Sequence, residues 1–499
     1  MPSSERFDTL IVGAGAAGCV LARRVSDAGN RTVALIEAGP DLRGATPAML
    51  RDGWRLPSGP DWPDWGYTAA PKADGSTPKV RRGRVLGGTS WLTRFAVRGA
   101  ASDFDGWAAA GNPGWSFADV LPAFMRLETD LEFGAGAVHG SDGPLPITRY
   151  PGLQVSDVHA AAIEALQGLG FAAQDDMNAP EAIGVGRMPM SSRDGKRVTA
   201  LDAWLPAGWS SPNLTVVPNA PVDRVLLEGD QASGVRLVDG REIHADTVVL
   251  SSGVYGSPAI LLRSGIGPAA DLRGVGIDVA VDLPGVGANL ADHPTVELDA
   301  GWHGTPAAGP SLHTIAMYRS QLLAQDASPD LLFWLIDPDA DDPAFYLDAI
   351  LLRPRSRGSV RLRSADPLDA PIIELPRLTD PVDVDRLVEG YRRGVDIANR
   401  PGMRAVGVTA PPADPGSDAA VRELVRSTVS SIPHTVGTCA MGGAPADGAV
   451  VDAGGRVHGT RGLRVIDASI MPEPPSGFPH VITIMIAEHL APTLASVAT

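Results

Sequence analysis

Cysteine is nearly missing from this 499-residue chain, which carries only Cys19 and Cys439. They stand far apart without metal-ligand spacing, so reduced thiols in a cytoplasmic setting are expected, with Cys19 packed in the core. The histidines are scattered, and no His-x-x-x-His or Cys-x-x-Cys pattern points to a metal. No apolar run is long enough to span a bilayer, and the polar stretch Met1 to Arg6 leads straight into a strand, so neither a membrane span nor a secretory leader is expected. Positive charge is also short: 42 Lys and Arg against 58 Asp and Glu leave a formal net charge of −16. Nucleic acid and anionic membranes call for a basic face, so neither is expected as a partner. Aromatic residues make up only 5% of the chain, so those near a site carry weight. What remains, 44% hydrophobic residues with mean hydropathy near zero, describes a soluble globular enzyme of about two to four domains.

The most informative stretch that is present runs from Phe7 to Gly18. Thr9 to Val12 reads as a buried parallel strand. Gly13 permits the tight turn after it, Gly15 lets the backbone approach a pyrophosphate, and Gly18 lets helix and strand pack closely. Ala16 and Ala17 open the helix, whose free N–H groups and dipole favour phosphate. A second strand, Thr32 to Ile36, ends at Glu37, followed by Ala38, where an acid accepts the ribose hydroxyls of adenosine. An acid there favours a free 2′-hydroxyl, hence FAD or NAD over NADP. Strand, glycines, helix, strand and acid in this order carry far more weight than the glycines alone.

Residues 38–80, rich in Pro, Trp and Asp, read as an extended surface excursion. A helix is predicted over Val155 to Gly168 with Ser156 as cap. Strands are predicted over Leu214 to Val217, Val222 to Leu227 and Gly234 to Val238, then a hairpin turn at Asp239-Gly240 and a short strand Thr247 to Leu250 ending at a second ligand junction, Ser251-Ser252-Gly253. Leu331 to Ile336 and Ala349 to Leu352 are expected in a second sheet, Asp380 to Ala398 in an amphipathic helix, Leu463 to Asp467 in a final strand, and Thr483 to Val497 in a terminal helix. The two ends of the chain thus share one nucleotide-binding domain (1–150, 200–300 and 431–499), interrupted by a second domain (151–199 and 301–430). The fold class expected is α/β: a Rossmann-like domain with a discontinuous α+β substrate-binding domain.

Further motifs follow in order: Gly83 to Ser90 with Arg98-Gly99 and Asp103 to Trp107; Gly256 to Pro268; Val286 to Pro294; His434 to Gly442; and Val465 to Pro472. With the N-terminal fingerprint they make the chain resemble, over nearly its whole length, the glucose–methanol–choline (GMC) flavin oxidoreductases. Within the family it is similar to bacterial hydroxymethylfurfural-type oxidases and, around Leu127 to Gly134, to mycofactocin-associated dehydrogenases. The resemblance implies FAD. It places Arg84, Leu86, Gly88, Thr89 and Thr93 beside the isoalloxazine and pyrophosphate, the Val222 backbone at the adenine, and Gly253, Asp467, Ala468, Val481 and Thr483 around the cofactor. The usual asparagine near the flavin is Thr93 here, followed by Arg94. Leu92 occupies the position where some members tether the flavin through histidine, so non-covalent FAD is expected.

The resemblance also implies that His434 and His480 are catalytic. His434 is expected as the base that takes the hydroxyl proton while a hydride passes to flavin N5, and His480 as the residue positioning the alkoxide, with the two able to exchange roles. Both are expected on irregular loops, His480 just ahead of the terminal helix, whose N-terminus stabilises negative charge on the reduced flavin. His293 reads as structural, capped by Asp292; His139, His159, His244 and His458 read as surface or turn residues; the acidic run Asp337 to Asp342 reads as a solvated loop. Trp62, Trp65, Trp91, Phe95 and Phe478 fall in segments able to approach the flavin, which favours an aromatic or apolar primary alcohol over a sugar or choline. Oxidation with O₂ as acceptor is the leading expectation. The alternatives are a dehydrogenase using a quinone or another acceptor, and a hydroxynitrile lyase-type flavoprotein without net redox chemistry.

Overall fold

In the computed structural model, residues 6–54, 62–72, 75–302, 304, 311–324, 327–338, 344–409 and 415–495 are described. Two sheets organise them. The first has the strand order Leu214–Val217, Val33–Ile36, Arg6–Val12, Glu242–Leu250, Gln231–Leu237, Val222–Glu228, with Leu463–Val465 pairing the far end of Glu242–Leu250. Its core pairings are parallel, and Leu10, Ile11 and Val12 are buried on both faces, which is why the sequence there is a continuous apolar run rather than an alternation. Asp239-Gly240 does turn the hairpin, with Gly240 at φ +86°. The expected Thr247 to Leu250 strand is the end of a longer one, because its polar first half pairs antiparallel with Gln231–Leu237 before the apolar half enters the parallel core.

The terminal helix, Pro479–Ala495, lies against the helices Ala16–Asp27 and Phe117–Leu127 and is apolar nearly all round, as a helix enclosed on every side must be. It starts four residues earlier than the sequence reading placed it: Pro479 is a good first helical residue because its missing N–H would have had no partner there. The predicted end at Val497 lies outside the described residues. Glu488, buried in this helix, accepts from Arg24 Nε at 2.9 Å and Trp204 Nε1 at 2.9 Å, tying three elements together.

The second sheet has six strands in the order Ser430–Val436, Ala291–Val296, Tyr346–Leu351, Leu331–Ile336, Leu312–Tyr318, Gly184–Arg187. One face is covered by the helices Asp157–Gly168 and Pro381–Ala398, capped as expected by Ser156 and Asp380. The other carries an apolar cluster that includes Met190, Ile315, Trp334 and Ile350, into which Phe95 and Phe478 reach from the nucleotide-binding side. The active-site candidates stand at this junction. The fold is the mixed α/β architecture expected, a Rossmann-like nucleotide-binding unit with a separate sheet-based unit beside it.

Two histidines and an acid read as superficial are interior. His139 is buried among Glu128, Asp130 and Asp176, and His159 is fully buried with Nδ1 3.0 Å from Asp337. Asp337 also accepts from Ser156 Oγ at 2.6 Å, so it belongs to a helix N-terminus rather than to a solvated loop; Asp339, Asp341 and Asp342 lie outside the described residues. Their partners come from remote segments, which local sequence does not reveal.

Candidate active site

The nucleotide loop is shaped by close backbone approaches. Gly13 has φ +96°, and a Cβ there would fall 2.6 Å from the Ser251 carbonyl oxygen; one on Gly18 would fall 1.9 Å from that of Gly13. Gly15, which caps the helix beginning at Ala16 and Ala17, has nothing within 4 Å of its Cβ position. The backbone is therefore drawn tight everywhere except over the helix N-terminus, which is left open for a phosphate. Glu37 fixes this shape: Ala14 N–H donates to Oε2 and Gly39 N–H to Oε1, both at 2.9 Å. Burial pushes its carboxyl up to about 7 despite those bonds, and each oxygen keeps a second lone pair for a ligand hydroxyl. Ala38, next in the chain, adds a further backbone contact to this carboxylate, and the Arg84 cation acts on it at longer range.

The second glycine loop lies on the first. Gly87 N–H donates to the Ala14 carbonyl at 2.7 Å, and a Cβ on Gly88 would sit 2.8 Å from Gly15 Cα. This brings Leu86, Gly88 and Thr89 to the helix N-terminus. Thr89 Oγ1 accepts from Gly83 N–H at 3.2 Å, and half-buried Thr93 accepts from Phe95 N–H at 3.3 Å. On the opposite side Gly253, at φ +76°, donates its N–H to Asp467 Oδ2 at 2.8 Å, and Asp467 Oδ1 accepts from Ser469 N–H, which anchors the Ala468 turn. Val222 is placed less favourably, because its carbonyl accepts from Arg263 Nη2 at 3.4 Å. Val481 is buried in the first turn of the terminal helix, and the Thr483 hydroxyl is spent on the Pro479 carbonyl at 2.7 Å. Open glycine backbone, a helix N-terminus and a fastened acid after the second strand fit the dinucleotide half of FAD.

His434 stands on the strand Ser430–Val436 rather than on a loop, and His480 in the first turn of the terminal helix. Phe478 joins them: two residues before His480, its ring centroid lies 4.6 Å from that of His434. The neighbour that sequence reasoning left as structural is His293, whose backbone N–H is indeed capped by Asp292 at 2.9 Å but whose ring faces the catalytic candidate. His293 Nδ1 is 3.2 Å from His434 Nδ1, and His293 Nε2 is 3.1 Å from the Pro475 carbonyl oxygen. A carbonyl only accepts, so His293 Nε2 carries the hydrogen. Burial pulls the His293 pKa down to about 4, so its Nδ1 is a bare lone pair at neutral pH. His434 Nδ1 must then be the donor, which leaves the His434 lone pair on Nε2.

Backbone supports hold this arrangement. Asp292 Oδ1 accepts from His434 N–H at 2.8 Å, and Oδ2 accepts from Ser431 Oγ. Arg82 Nη2 donates to Thr435 Oγ1 at 2.5 Å and to the Pro433 carbonyl at 3.3 Å. Burial, then His293 and Arg82, keep His434 well below the usual imidazole range; burial, then Arg197, bring His480 to about 4. Both rings are neutral at pH 7. His480 Nε2 is enclosed and has no hydrogen-bond partner among the described residues. Phe95 and Trp334 complete the wall, with ring centroids 4.9 Å apart and Phe95 6.0 Å from Phe478. Trp91 is instead core, donating Nε1 to the Leu86 carbonyl at 2.8 Å.

Comparison with known proteins places the chain. The GMC oxidoreductase family matches it in two parts, residues 7–295 and residues 354–487. It is 35% identical over 528 residues to the 5-(hydroxymethyl)furfural oxidase of Methylovorus sp. (strain MP688), covering 99% of each chain. It is 34% identical to the oxygen-dependent choline dehydrogenase of Paraburkholderia xenovorans (strain LB400), covering 98% of this chain and 94% of the other. The crystal structure of pyridoxine 4-oxidase from Mesorbium loti superposes with a TM-score of 0.88 at 33% identity, covering 97% of this chain and 98% of that one. Matched by the family over both parts and by these relatives over nearly its whole length, the chain belongs to the GMC oxidoreductase family.

Proposed function

We propose that this chain oxidises an aromatic or otherwise apolar primary alcohol to the aldehyde, with non-covalently held FAD as cofactor and O₂ as electron acceptor. The observation that carries the reading is the His293–His434 contact, which gives His434 a single tautomer with its lone pair on Nε2. His434 Nε2 takes the hydroxyl proton, and the resulting imidazolium keeps its Nδ1–H on the His293 lone pair. His480, with an enclosed and unpartnered Nε2, holds the substrate oxygen. Bound FAD supplies the acceptor for the carbinol hydride. The Phe95, Trp334 and Phe478 rings exclude water and favour a flat apolar substrate. Residues Gly13, Gly15, Gly88, Glu37, Gly253 and Asp467 are assigned to the cofactor, and Leu92 offers no nucleophile to tether it. The name of the furfural oxidase relative supports an aryl alcohol and O₂.

The purified holoenzyme is to be mixed anaerobically with benzyl alcohol and hydroxymethylfurfural and then exposed to air. Bleaching of the flavin followed by rapid recovery with peroxide is the expected result. Bleaching without recovery in air removes O₂ as the acceptor, and a flavin unchanged by any alcohol removes the oxidation reading altogether.

A further inference from the structure

The motif that opens at Asp103 grips the loop ahead of the terminal helix. Asp103 is buried in the first turn of the helix Ala101–Ala109. Its Oδ2 accepts from Ala100 N–H at 3.1 Å, which caps that helix, and from two groups 373 positions away, Ser476 N–H at 2.8 Å and Ser476 Oγ. Ser476 Oγ in turn accepts from Ala100 N–H at 3.1 Å, and Asp103 Oδ1 lies 3.8 Å from Arg353 Nη1. Burial pushes the Asp103 pKa up, Arg353 and then Ser476 counter it, and the helix N-terminus also favours the anion. The two loops are pressed together. Gly99 has φ +83° and a Cβ position 2.7 Å from Gly477 N, and a Cβ on Gly477 would fall 2.3 Å from Gly99 N. Phe478 N–H donates to the Val97 carbonyl at 2.8 Å, so the segment Pro475 to Phe478 is fastened at both ends.

The Ser476 N–H and the Pro475 carbonyl are the two poles of one peptide group, and in a trans peptide they point opposite ways. The same planar unit donates to Asp103 at one pole and accepts from His293 Nε2 at 3.1 Å at the other. Beyond it, His293 Nδ1 accepts from His434 Nδ1 at 3.2 Å, which leaves the His434 lone pair on Nε2. A chain of one polarity therefore runs from a buried carboxylate, through one peptide and one imidazole, to the base, each member donating toward Asp103. This alignment has two effects. The rigid plane holds the Pro475 carbonyl where it fixes the His293 tautomer. An N–H bound to an anion also polarises its own peptide, so that carbonyl becomes a stronger acceptor, and the gain passes to His293 and then to His434. A helix cap alone needs no such alignment.

We propose that Asp103 is a positioning residue for the base: through the Pro475–Ser476 peptide it orients His293 and strengthens the acceptor that holds His434. No proton travels the chain; the one taken from the alcohol stays on His434 Nε2. This rests on the alcohol-oxidation reading above and adds a residue from a remote segment to it.

Two measurements on the holoenzyme keep the inference separable from that reading. In the first, the limiting rate of anaerobic flavin reduction by benzyl alcohol is compared for the wild type, Asp103→Asn, His293→Phe and the double variant. Asparagine keeps the size and an acceptor but not the charge. Asp103→Asn is expected to slow reduction about tenfold, with FAD retained and the half-saturating alcohol concentration unchanged. In the His293→Phe background it should add less than about twofold, because its route to the base is already cut. Asp103→Ser, also short and uncharged, enters the same cycle if the asparagine variant fails to fold. An unchanged rate in the wild-type background, or an equal loss in both, overturns the proposal, since a merely structural residue acts whatever stands at position 293. In the second, proton NMR of histidine-labelled holoenzyme follows the downfield ring N–H of His293, assigned by its absence in His293→Phe. It is expected to move upfield in Asp103→Asn as its acceptor weakens, and an unmoved resonance overturns the proposal. This readout uses no substrate: a flavin that no alcohol bleaches overturns the oxidation reading, and the resonance still decides the role of Asp103.

Discussion

At the residue scale the account turns on which nitrogen of His434 is bare. The answer comes from His293, 141 positions away in the chain, through one 3.2 Å contact and one carbonyl. Replacing His293 by Phe removes the acceptor for His434 Nδ1–H, so flavin reduction by alcohol should slow by about 10- to 100-fold while FAD stays bound. The sign of the pH effect follows. Neutral His434 is the active form, and His293, itself neutral at pH 7, holds the imidazolium's Nδ1–H on its lone pair. Losing that acceptor destabilises the imidazolium, so the acid limb of the pH–rate profile should move to lower pH in His293→Phe, and His293→Asn, which can still accept, should recover part of the rate. An unaltered profile would mean that His293 only fills space. This residue was illegible as a partner because nothing local in Asp292-His293-Pro294 records what lies across the fold; only its cap by Asp292 is local, and that was read correctly.

At the scale of elements, the glycine loops were legible because their constraints are local. A helix must start where a strand has just ended, and only residues without a Cβ let the two approach. Gly18→Ala tests this directly: its Cβ would press on the Gly13 carbonyl oxygen, 1.9 Å away, and backbone cannot yield as a side chain can. The variant should lose about 1–3 kcal/mol of stability and retain less FAD after gel filtration, whereas Gly168→Ala, in open space and without a left-handed backbone, should retain FAD as the wild type does. The strand bearing His434 was not legible. Ser430-Ser431-Ile432-Pro433-His434 reads as a loop because it is polar and contains proline, yet it forms the edge of its sheet, the one place where proline's missing N–H costs no ladder bond. The same residue type misled at Pro479, where it opens the helix instead of preceding it. Both errors moved a catalytic candidate from regular to irregular backbone without changing its identity.

At the scale of the molecule, motif order predicts two units folded from interleaved segments; the charged joint that ties residues 98–149 to Asp176 was not foreseen. Arg98 and Glu128 meet His139, which contacts Asp130 at 3.2 Å and Asp176 at 2.8 Å; Arg149 closes the ring on both of those acids. Burial alone would lower the His139 pKa, but hydrogen bonds to Asp130, Asp176 and Glu128 outweigh it and push it up to about 10. A raised pKa contributes stability that is complete below the unfolded value of about 6.5 and is lost as pH rises through about 10. Thermal unfolding should therefore move to lower temperature between pH 7 and pH 10, with a shallower dependence in His139→Gln; parallel profiles would remove His139 from the joint. The same joining of distant segments brings His434, on an edge strand of the second sheet, against Phe478, which directly precedes the terminal helix and lies two residues ahead of His480. Anaerobic stopped-flow reduction of the flavin by an aryl alcohol, in the wild type and in His434→Ala, tests that meeting most directly. The account predicts bleaching in the wild type and a rate about 10²- to 10⁴-fold lower in the variant, with the flavin spectrum otherwise intact; bleaching at an undiminished rate in His434→Ala would contradict it.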